Sequence, residues 1–124
     1  MKYLYIALFG LAGVFGRYFV GNYIAVRWGS SVPYGTFVIN ITGAFIIGVI
    51  YVLGSDRHFL GPDLQAGLLV GLLGGYTTFS SYCLDAARLL EAREAGVAIL
   101  YFLLSPLLGL AACFGGILFV RLLL

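Results

Sequence analysis

A stretch from Gly71 to Tyr82, reading GLLGGYTTFSSY, lies within a long apolar segment and is the strongest constraint on how this chain folds. Two adjacent glycines followed by two threonines make a poor helix interior, because glycine costs backbone entropy and threonine competes for backbone hydrogen bonds. Inside a bilayer no water can satisfy the N–H and C=O groups that a helix break frees. The sequence therefore predicts a broken helix near the membrane midplane, with the break buried in protein or lining a polar site.

The composition places the chain in a membrane. Of its 124 residues 62% are hydrophobic and only 10% are charged, whereas a soluble domain is about half apolar and about a quarter charged. A soluble enzyme is excluded on this ground, and the net charge of +2 is too small and too scattered to indicate a nucleic-acid partner. Cys83 and Cys113 both lie in apolar segments, where packing is expected rather than a disulfide or a metal site.

Four apolar segments predict an all-α membrane protein with four transmembrane helices, forming a single domain over residues 1–124. The connections between the segments are short and rich in turn-forming residues. The predicted spans cover approximately residues 3–25, 32–53, 64–90 and 97–122, with the break near the middle of the third.

Positive charges are balanced between the two sides of these spans. One side receives Lys2, Arg57 and Arg121. The other side receives Arg27, Arg88 and Arg93. The positive-inside rule then has no bias to act on, so the chain is expected to insert in both orientations. This favours an antiparallel homodimer with its two-fold axis in the membrane plane, the single-gene counterpart of an inverted repeat.

Two polar side chains lie inside the predicted spans. Arg17 costs roughly 2.5–3.5 kcal/mol to place in a bilayer centre, so it either snorkels to the interface or faces a partner or a water-filled vestibule. A cation in a vestibule favours an anion pathway over a cation pathway. Asn40 shares one helical face with Thr36 and Gly43. An asparagine in this position either forms hydrogen bonds between helices or acts as a ligand group.

The fourth span carries a polar or small residue at every fourth position. This pattern suits either tight helix packing or a track lined with hydrogen-bond donors. In the same span, Pro106 removes one helical hydrogen bond and frees a carbonyl. The residues of this face are Tyr101, Ser105, Gly109 and Cys113.

After the break, Phe79 and Tyr82 lie three residues apart, on one face of a helix that resumes at Thr78. Aromatic pairs at this spacing often pack in a core, but their ring edges carry partial positive charge. Together with an amide N–H₂ and hydroxyls, they would form an anion path without a full charge, which lets an ion enter without trapping it. Asp85 lies one turn further on, either near the mouth of such a path or as a solvated acid at the helix end.

The break also suits a small hard cation. Unwound carbonyl oxygens from Gly74 and Thr77 are of the type that Na⁺ binds. If two copies of the chain cross at this point, the cation would sit between them.

Four strings together resemble the signature of the CrcB/Fluc fluoride channels. They are GGYTTFS at residues 74–80, GTFVINITG at residues 35–43, Gly16-Arg17, and Tyr101-x-x-x-Ser105. The resemblance covers the whole chain in length and four-span layout. It implies a passive, fluoride-selective channel in the plasma membrane of a microorganism, which lets fluoride trapped as an anion leave down its gradient. Members of the family are dual-topology antiparallel homodimers with two pores and a central Na⁺.

The resemblance also implies roles for single residues in the pore. Asn40 would donate its amide to fluoride. Phe79 and Tyr82 would fill the two pore-aromatic positions, although phenylalanine is expected at the second. Further candidates for the polar lining are Thr36, Ser105, Tyr101 and Ser81.

Outside the pore, the resemblance gives Gly74 and Thr77 the backbone carbonyls that bind Na⁺, and it gives Arg17 a supporting role in the vestibule. Two further departures concern the polar lining. Asp85 replaces the more usual glutamate, and Gly109 stands where a hydroxyl residue often sits.

Two other classes of membrane protein compete with a channel. A small dual-topology proton-coupled exporter needs a membrane-embedded carboxylate, whereas the first span offers Arg17 and no acid, and the only acid near a span interior is Asp85. A non-transporting membrane subunit explains the apolar spans but gives no role to Arg17, Asn40 or the break.

Overall fold

Helices make up all the regular structure of the chain, and the computed structural model describes all 124 residues. Helix α1 runs Lys2–Trp28, and α2 runs Tyr34–Tyr51 and continues as a π-helical turn over Val52–Asp56. The third predicted span is divided into two helices. The first, α3, is a continuous run of Pro62–Ala66, a π-helical Gly67–Leu73 and Gly74–Tyr76. The second, α4, runs Phe79–Glu91, and α5 follows over Ala95–Leu123.

Three helices are long and apolar enough to cross a membrane: Lys2–Trp28, Tyr34–Asp56 and Ala95–Leu123. Each extends one to three residues beyond the predicted span at one or both ends. The predicted break is present, but it lies at Thr77 and Thr78, while Gly74 and Gly75 stay helical. A fourth crossing by α3 and α4 together remains a prediction.

Glycines bring α2 and α5 into backbone contact. A Cβ atom at Gly48 would overlap the carbonyl oxygen of Cys113, and one at Gly116 would overlap the carbonyl oxygen of Phe45. Helices in membranes associate through such small residues because lipid supplies no hydrophobic driving force between them. The same device joins α1 to α3, where a Cβ at Gly13 would overlap the Leu72 carbonyl. These contacts hold α3, and so the break, against the long helices.

Only 19 of the 124 residues are buried. A cluster of five buried residues lies where α4 packs on α5, and Cys83 packs against it, as expected of a cysteine with a packing role. At the ends of α2 and α5, Arg121 donates to Asp56 across 2.7 Å. This ion pair brings the second connection and the end of α5 to the same side, in agreement with the charge count. The clustered residues are Tyr82, Ala86, Leu89, Ala98 and Tyr101.

Candidate functional site

The break between α3 and α4 is held open by Asn40. Thr77 and Thr78 are both extended, with φ/ψ of −83°/157° and −151°/123°. In a continuous helix the Thr78 N–H would donate to the Gly74 carbonyl; here it donates to Asn40 Oδ1 across 2.8 Å. Asn40 Nδ2 in turn donates to the Thr78 carbonyl across 2.9 Å. The amide of Asn40 therefore satisfies both backbone groups of Thr78, which is the interhelical role considered for it from the sequence.

Thr77 and Thr78 also close the two helix ends with their side chains. Thr77 Oγ1 donates to the Leu73 carbonyl across 2.8 Å, and the same carbonyl accepts the Thr77 N–H at the end of α3. Thr78 is the N-cap of α4, and its Oγ1 accepts from the Ser81 N–H across 3.2 Å. Threonine is a favoured residue at an N-cap because its hydroxyl satisfies an orphan N–H. The helix thus resumes at Phe79, one residue later than the sequence pattern predicts.

Tyr76 anchors the end of α3 to its neighbours. Its hydroxyl lies 3.0 Å from Thr42 Oγ1. The Thr42 hydroxyl itself donates to the Val38 carbonyl across 2.6 Å, so Tyr76 is the donor in this contact. The Tyr76 ring lies over Gly16 and Gly43, where a Cβ would come within 3.6 Å and 3.4 Å of it. Both glycines thereby make room for the segment that carries the break.

A cavity of about 420 Å³, here called the inner cavity, lies on the side of the break that faces α2 and α5. It has no charged side chain on its walls. Phe79 and Tyr82 lie on its wall with ring centroids 5.8 Å apart, which confirms that they share a helical face. Phe79 is 76% exposed, so the cavity is open on this side. Its walls include Asn40, Gly74, Thr77, Thr78, Phe79, Tyr82, Ser105, Pro106 and Gly109.

A second cavity of about 420 Å³, here called the outer cavity, lies between α1, the start of α2 and α4. Arg17 faces it from α1, and Asp85 and Arg88 face it from α4. Two cations and one acid give these walls a positive balance. The polar lining also includes Thr36, Ser81, Asn22, Ser30 and Thr78.

Arg88 is a site residue that the sequence reasoning missed. The charge count used Arg88, near the end of the predicted third span, only to balance the two sides of the membrane. The structure places it inside α4, on the wall of the same cavity as Arg17. The available signal was its spacing from Asp85, because residues three apart share a helix face.

Thr78 is the only residue that lines both cavities. It separates a polar, cationic compartment from an uncharged aromatic one. The residue that Asn40 holds in place is therefore also the residue at the junction. Sequence reasoning placed Thr78 at the helix start and gave it no part in the site.

Tyr101 lies on neither cavity wall. Its ring packs behind Tyr82, with centroids 5.3 Å apart. The Tyr101 hydroxyl, Ser105 Oγ and Asp85 Oδ2 are buried without a hydrogen-bond partner. Of the expected α5 lining, Ser105 and Gly109 thus reach the inner cavity, and Tyr101 supports it from the second layer.

The extra hydroxyl of Tyr82 has a partner on α5. It donates to the backbone carbonyl of Phe102. The ring remains on the wall of the inner cavity while its oxygen is engaged by the protein backbone.

Comparison with known proteins places this chain in a family. Residues 4–117 match the model described as CrcB-like protein, Camphor Resistance (CrcB). The chain is 38% identical over 122 residues to the fluoride-specific ion channel FluC 1 of Moorella thermoacetica, a match spanning 98% of this chain and 87% of that protein. It is 44% identical over 115 residues to FluC 1 of Brucella melitensis, which spans 91% of this chain and 94% of the relative. FluC of Acidobacterium capsulatum is 40% identical over 116 residues, 94% of this chain and 93% of the relative. The match over nearly the whole length shows that this chain is a membrane protein of the CrcB family.

Proposed function

We propose that this chain is a fluoride-selective ion channel that lets cytoplasmic fluoride leave passively down its electrochemical gradient and so confers fluoride resistance. The observation that carries the proposal is the pair of cavities that meet at Thr78. One is cationic, and the other is uncharged and largely apolar, with a few neutral donors and two aromatic rings on its walls. The relatives at about 40% identity, which are named fluoride-specific ion channels, supply the identity of the ion.

The electrostatics of the two cavities suit an anion that must enter and leave. Arg17 and Arg88 raise the local anion concentration in the outer cavity. Past Thr78 there is no charge to trap the ion, which conduction requires. Thr36 and Ser81 line the outer part of this route.

In the inner cavity the donors are neutral. Asn40 uses one of its two Nδ2 hydrogens on Thr78, which leaves the other for an anion. Ser105 Oγ has no partner within the protein. Phe79 and Tyr82 add the positive edges of their rings. Tyr101 supports this wall through its contact with Tyr82.

The functional unit in this proposal is an antiparallel homodimer. The inner cavity is open beside Phe79, which is 76% exposed, and lipid cannot satisfy polar groups such as Asn40 or Ser105 there. A second copy would close it. The even distribution of Lys and Arg allows that copy to insert upside down. Each copy then crosses the membrane four times as one channel domain, with α3 and α4 forming the broken third crossing.

A Na⁺ ion at the dimer interface fits the break. The Gly74 carbonyl loses its helical donor because the Thr78 N–H turns to Asn40. Gly74 is exposed, and both Gly74 and Thr77 lie on the open inner cavity. Backbone carbonyls are ligands that hard cations accept. The Na⁺ would hold two copies together at the point where their broken helices cross.

The proton-coupled exporter has less support. Asp85, the acid nearest the cavities, shares the outer cavity with two arginines and lies away from the inner cavity. A carboxylate that exchanges protons for cationic substrates needs a site that welcomes cations.

The plasma membrane is the proposed location, since a passive channel empties the cytoplasm only from there.

A flux assay in liposomes tests the channel. Purified protein is reconstituted in vesicles loaded with potassium fluoride or potassium chloride, and valinomycin starts the efflux, which is followed with ion-selective electrodes. We expect rapid fluoride efflux and no chloride efflux above that of protein-free vesicles, without an applied pH gradient. Equal chloride flux, or fluoride movement that stops without a pH gradient, contradicts the proposal.

The dimer topology has a separate test. A C-terminal tag is probed in intact and permeabilised cells. We expect about half of the tags to be accessible in intact cells. One uniform orientation contradicts the antiparallel homodimer and leaves the flux result unaffected.

A further inference from the structure

Pro106 leaves one carbonyl of α5 without a helical donor. In an uninterrupted helix the N–H of residue 106 would donate to the carbonyl of Phe102, and proline has no N–H. A carbonyl left unpaired in an apolar environment costs free energy because no water can replace the donor. The sequence predicts this free carbonyl but not what satisfies it.

The hydroxyl of Tyr82 satisfies the carbonyl that Pro106 leaves free. The phenol oxygen of Tyr82, on α4, donates to the Phe102 carbonyl. Tyr82 is 7% exposed, and its ring stacks on the Phe102 ring with centroids 5.4 Å apart and an interplanar angle of 9°. One residue of α5 therefore binds Tyr82 through both its backbone and its side chain.

This contact fixes an aromatic wall of the inner cavity. The Tyr82 ring has Phe102 stacked against it, Tyr101 at 5.3 Å and Phe79 at 5.8 Å. The hydrogen bond holds the phenol oxygen, and with it the direction of the ring axis, while the stacked Phe102 ring restricts rotation about that axis. Pro106 lies on the same cavity wall, so the proline that frees the carbonyl and the tyrosine that uses it both border the cavity.

We propose that Tyr82 and Pro106 are a matched pair, in which the carbonyl freed by the proline captures the tyrosine hydroxyl and so sets the orientation of the second aromatic wall of the inner cavity. The hydroxyl of Tyr82 thus positions the Tyr82 ring by binding the backbone of α5, and it does not bind the permeating ion. The hydrogen-bond pairing stands independently of the ion, while its effect on permeation rests on the proposed fluoride channel.

A double-mutant cycle on stability tests the pairing. Tyr82→Phe removes the donor, Pro106→Ala supplies a backbone N–H to the Phe102 carbonyl, and the double variant combines them. The midpoint of thermal unfolding in detergent is measured for all four proteins. We expect Tyr82→Phe to lower the midpoint by several degrees in the native background and by less than half as much in the Pro106→Ala background. Equal losses in the two backgrounds overturn the pairing.

Tyr76→Phe is the matched control. It also removes one tyrosine hydroxyl that donates a hydrogen bond, here to Thr42, far along the chain from Pro106. We expect its cost to be the same with and without Pro106→Ala. If Pro106→Ala reduces the loss in unfolding midpoint caused by Tyr76→Phe as strongly as it reduces the loss caused by Tyr82→Phe, the pairing is overturned. Such a result would show that Pro106→Ala acts on the whole fold.

Fluoride efflux separates positioning from simple stabilisation. In the double variant the carbonyl is satisfied but the ring is no longer held. We therefore expect reduced fluoride efflux in Tyr82→Phe at equal protein density, and the same reduction in the double variant although its unfolding midpoint recovers. Efflux that recovers together with the midpoint overturns the positioning role. If the native protein passes no fluoride, the proposed channel fails, and the stability cycle still decides the pairing.

Discussion

Asn40 pairs with the extended backbone of Thr78 through two hydrogen bonds, of 2.9 Å from Nδ2 to the carbonyl and 2.8 Å from the N–H to Oδ1. A primary amide presents a donor and an acceptor side by side, so it matches the N–H and C=O of one extended residue as a neighbouring strand would. Each such bond contributes about 0.5–1.5 kcal/mol net to stability. Leaving the same N–H and C=O groups unpaired in the bilayer would cost more free energy than this, because no water is present to replace the partner. The break in the helix and the asparagine that faces it are therefore one structural unit, located where the two cavities meet.

Asn40→Asp is expected to abolish most fluoride efflux. The carboxylate keeps the acceptor for the Thr78 N–H but sets an oxygen against the Thr78 carbonyl, where Nδ2 donated. It also places a negative charge on the inner cavity, which repels an anion. We expect efflux from liposomes to fall by more than tenfold, measured with a fluoride electrode at equal protein density.

Asn22→Asp is the matched control for this change. Asn22 is exposed, lines the outer cavity and makes no side-chain hydrogen bond, so the same substitution alters charge alone. We expect a smaller loss of efflux that diminishes as ionic strength rises, because exposed charges are screened. Equal losses in the two variants would show that Asn40 has no specific place in the path.

Arg88→Gln is expected to slow fluoride entry at low ionic strength. Arg88 and Arg17 face one cavity with a single acid, so removing either cation takes away its positive balance. Long-range attraction raises entry rates by about tenfold or more in low salt and little in high salt. The measurement is the fluoride efflux rate as a function of ionic strength. Arg93→Gln, in the turn before α5 and outside both cavities, should leave that dependence unchanged.

Local sequence pattern predicts the helices of this protein well and the site only in part. The break is expected from GGYTT, but Gly74 and Gly75 stay helical and the chain opens at Thr77 and Thr78. The deciding partner is Asn40, which lies far away in sequence and offers both halves of a hydrogen-bonded pair to Thr78. Helix propensity weighs each residue by itself and does not include such a partner.

The same limit applies to two other residues. The carbonyl freed by Pro106 is predictable from the rule that proline lacks an N–H, but its donor, Tyr82, is supplied by a different helix. Arg88 lies near the end of the predicted third span, but the cavity that it shares with Arg17 exists only once α1 and α4 are packed.

Gly48→Ala is expected to destabilise the protein. The added Cβ would overlap the Cys113 carbonyl on α5, where a backbone atom cannot rotate away, so α2 and α5 must separate. We expect a fall of several degrees in the thermal unfolding midpoint in detergent. Gly96→Ala is the control, because nothing lies within 4 Å of a Cβ at that exposed position near the start of α5, and its midpoint should be unchanged or slightly higher. Equal effects of the two substitutions would contradict the close contact of α2 with α5.

Gly109→Ser is expected to increase fluoride efflux. Gly109 lies on the inner cavity one helical turn beyond Ser105, and a Cβ there meets its nearest neighbour, Ile41, at an ordinary 3.9 Å. The added Cβ therefore fits without displacing a neighbour, and the serine hydroxyl adds a neutral donor next to one that already lacks a partner. Gly109→Ala is the matched control, since it adds the Cβ without the hydroxyl. If the two variants have equal thermal midpoints and efflux is faster in the serine variant, the permeating ion passes this wall. Equal efflux in the two variants would place the path elsewhere.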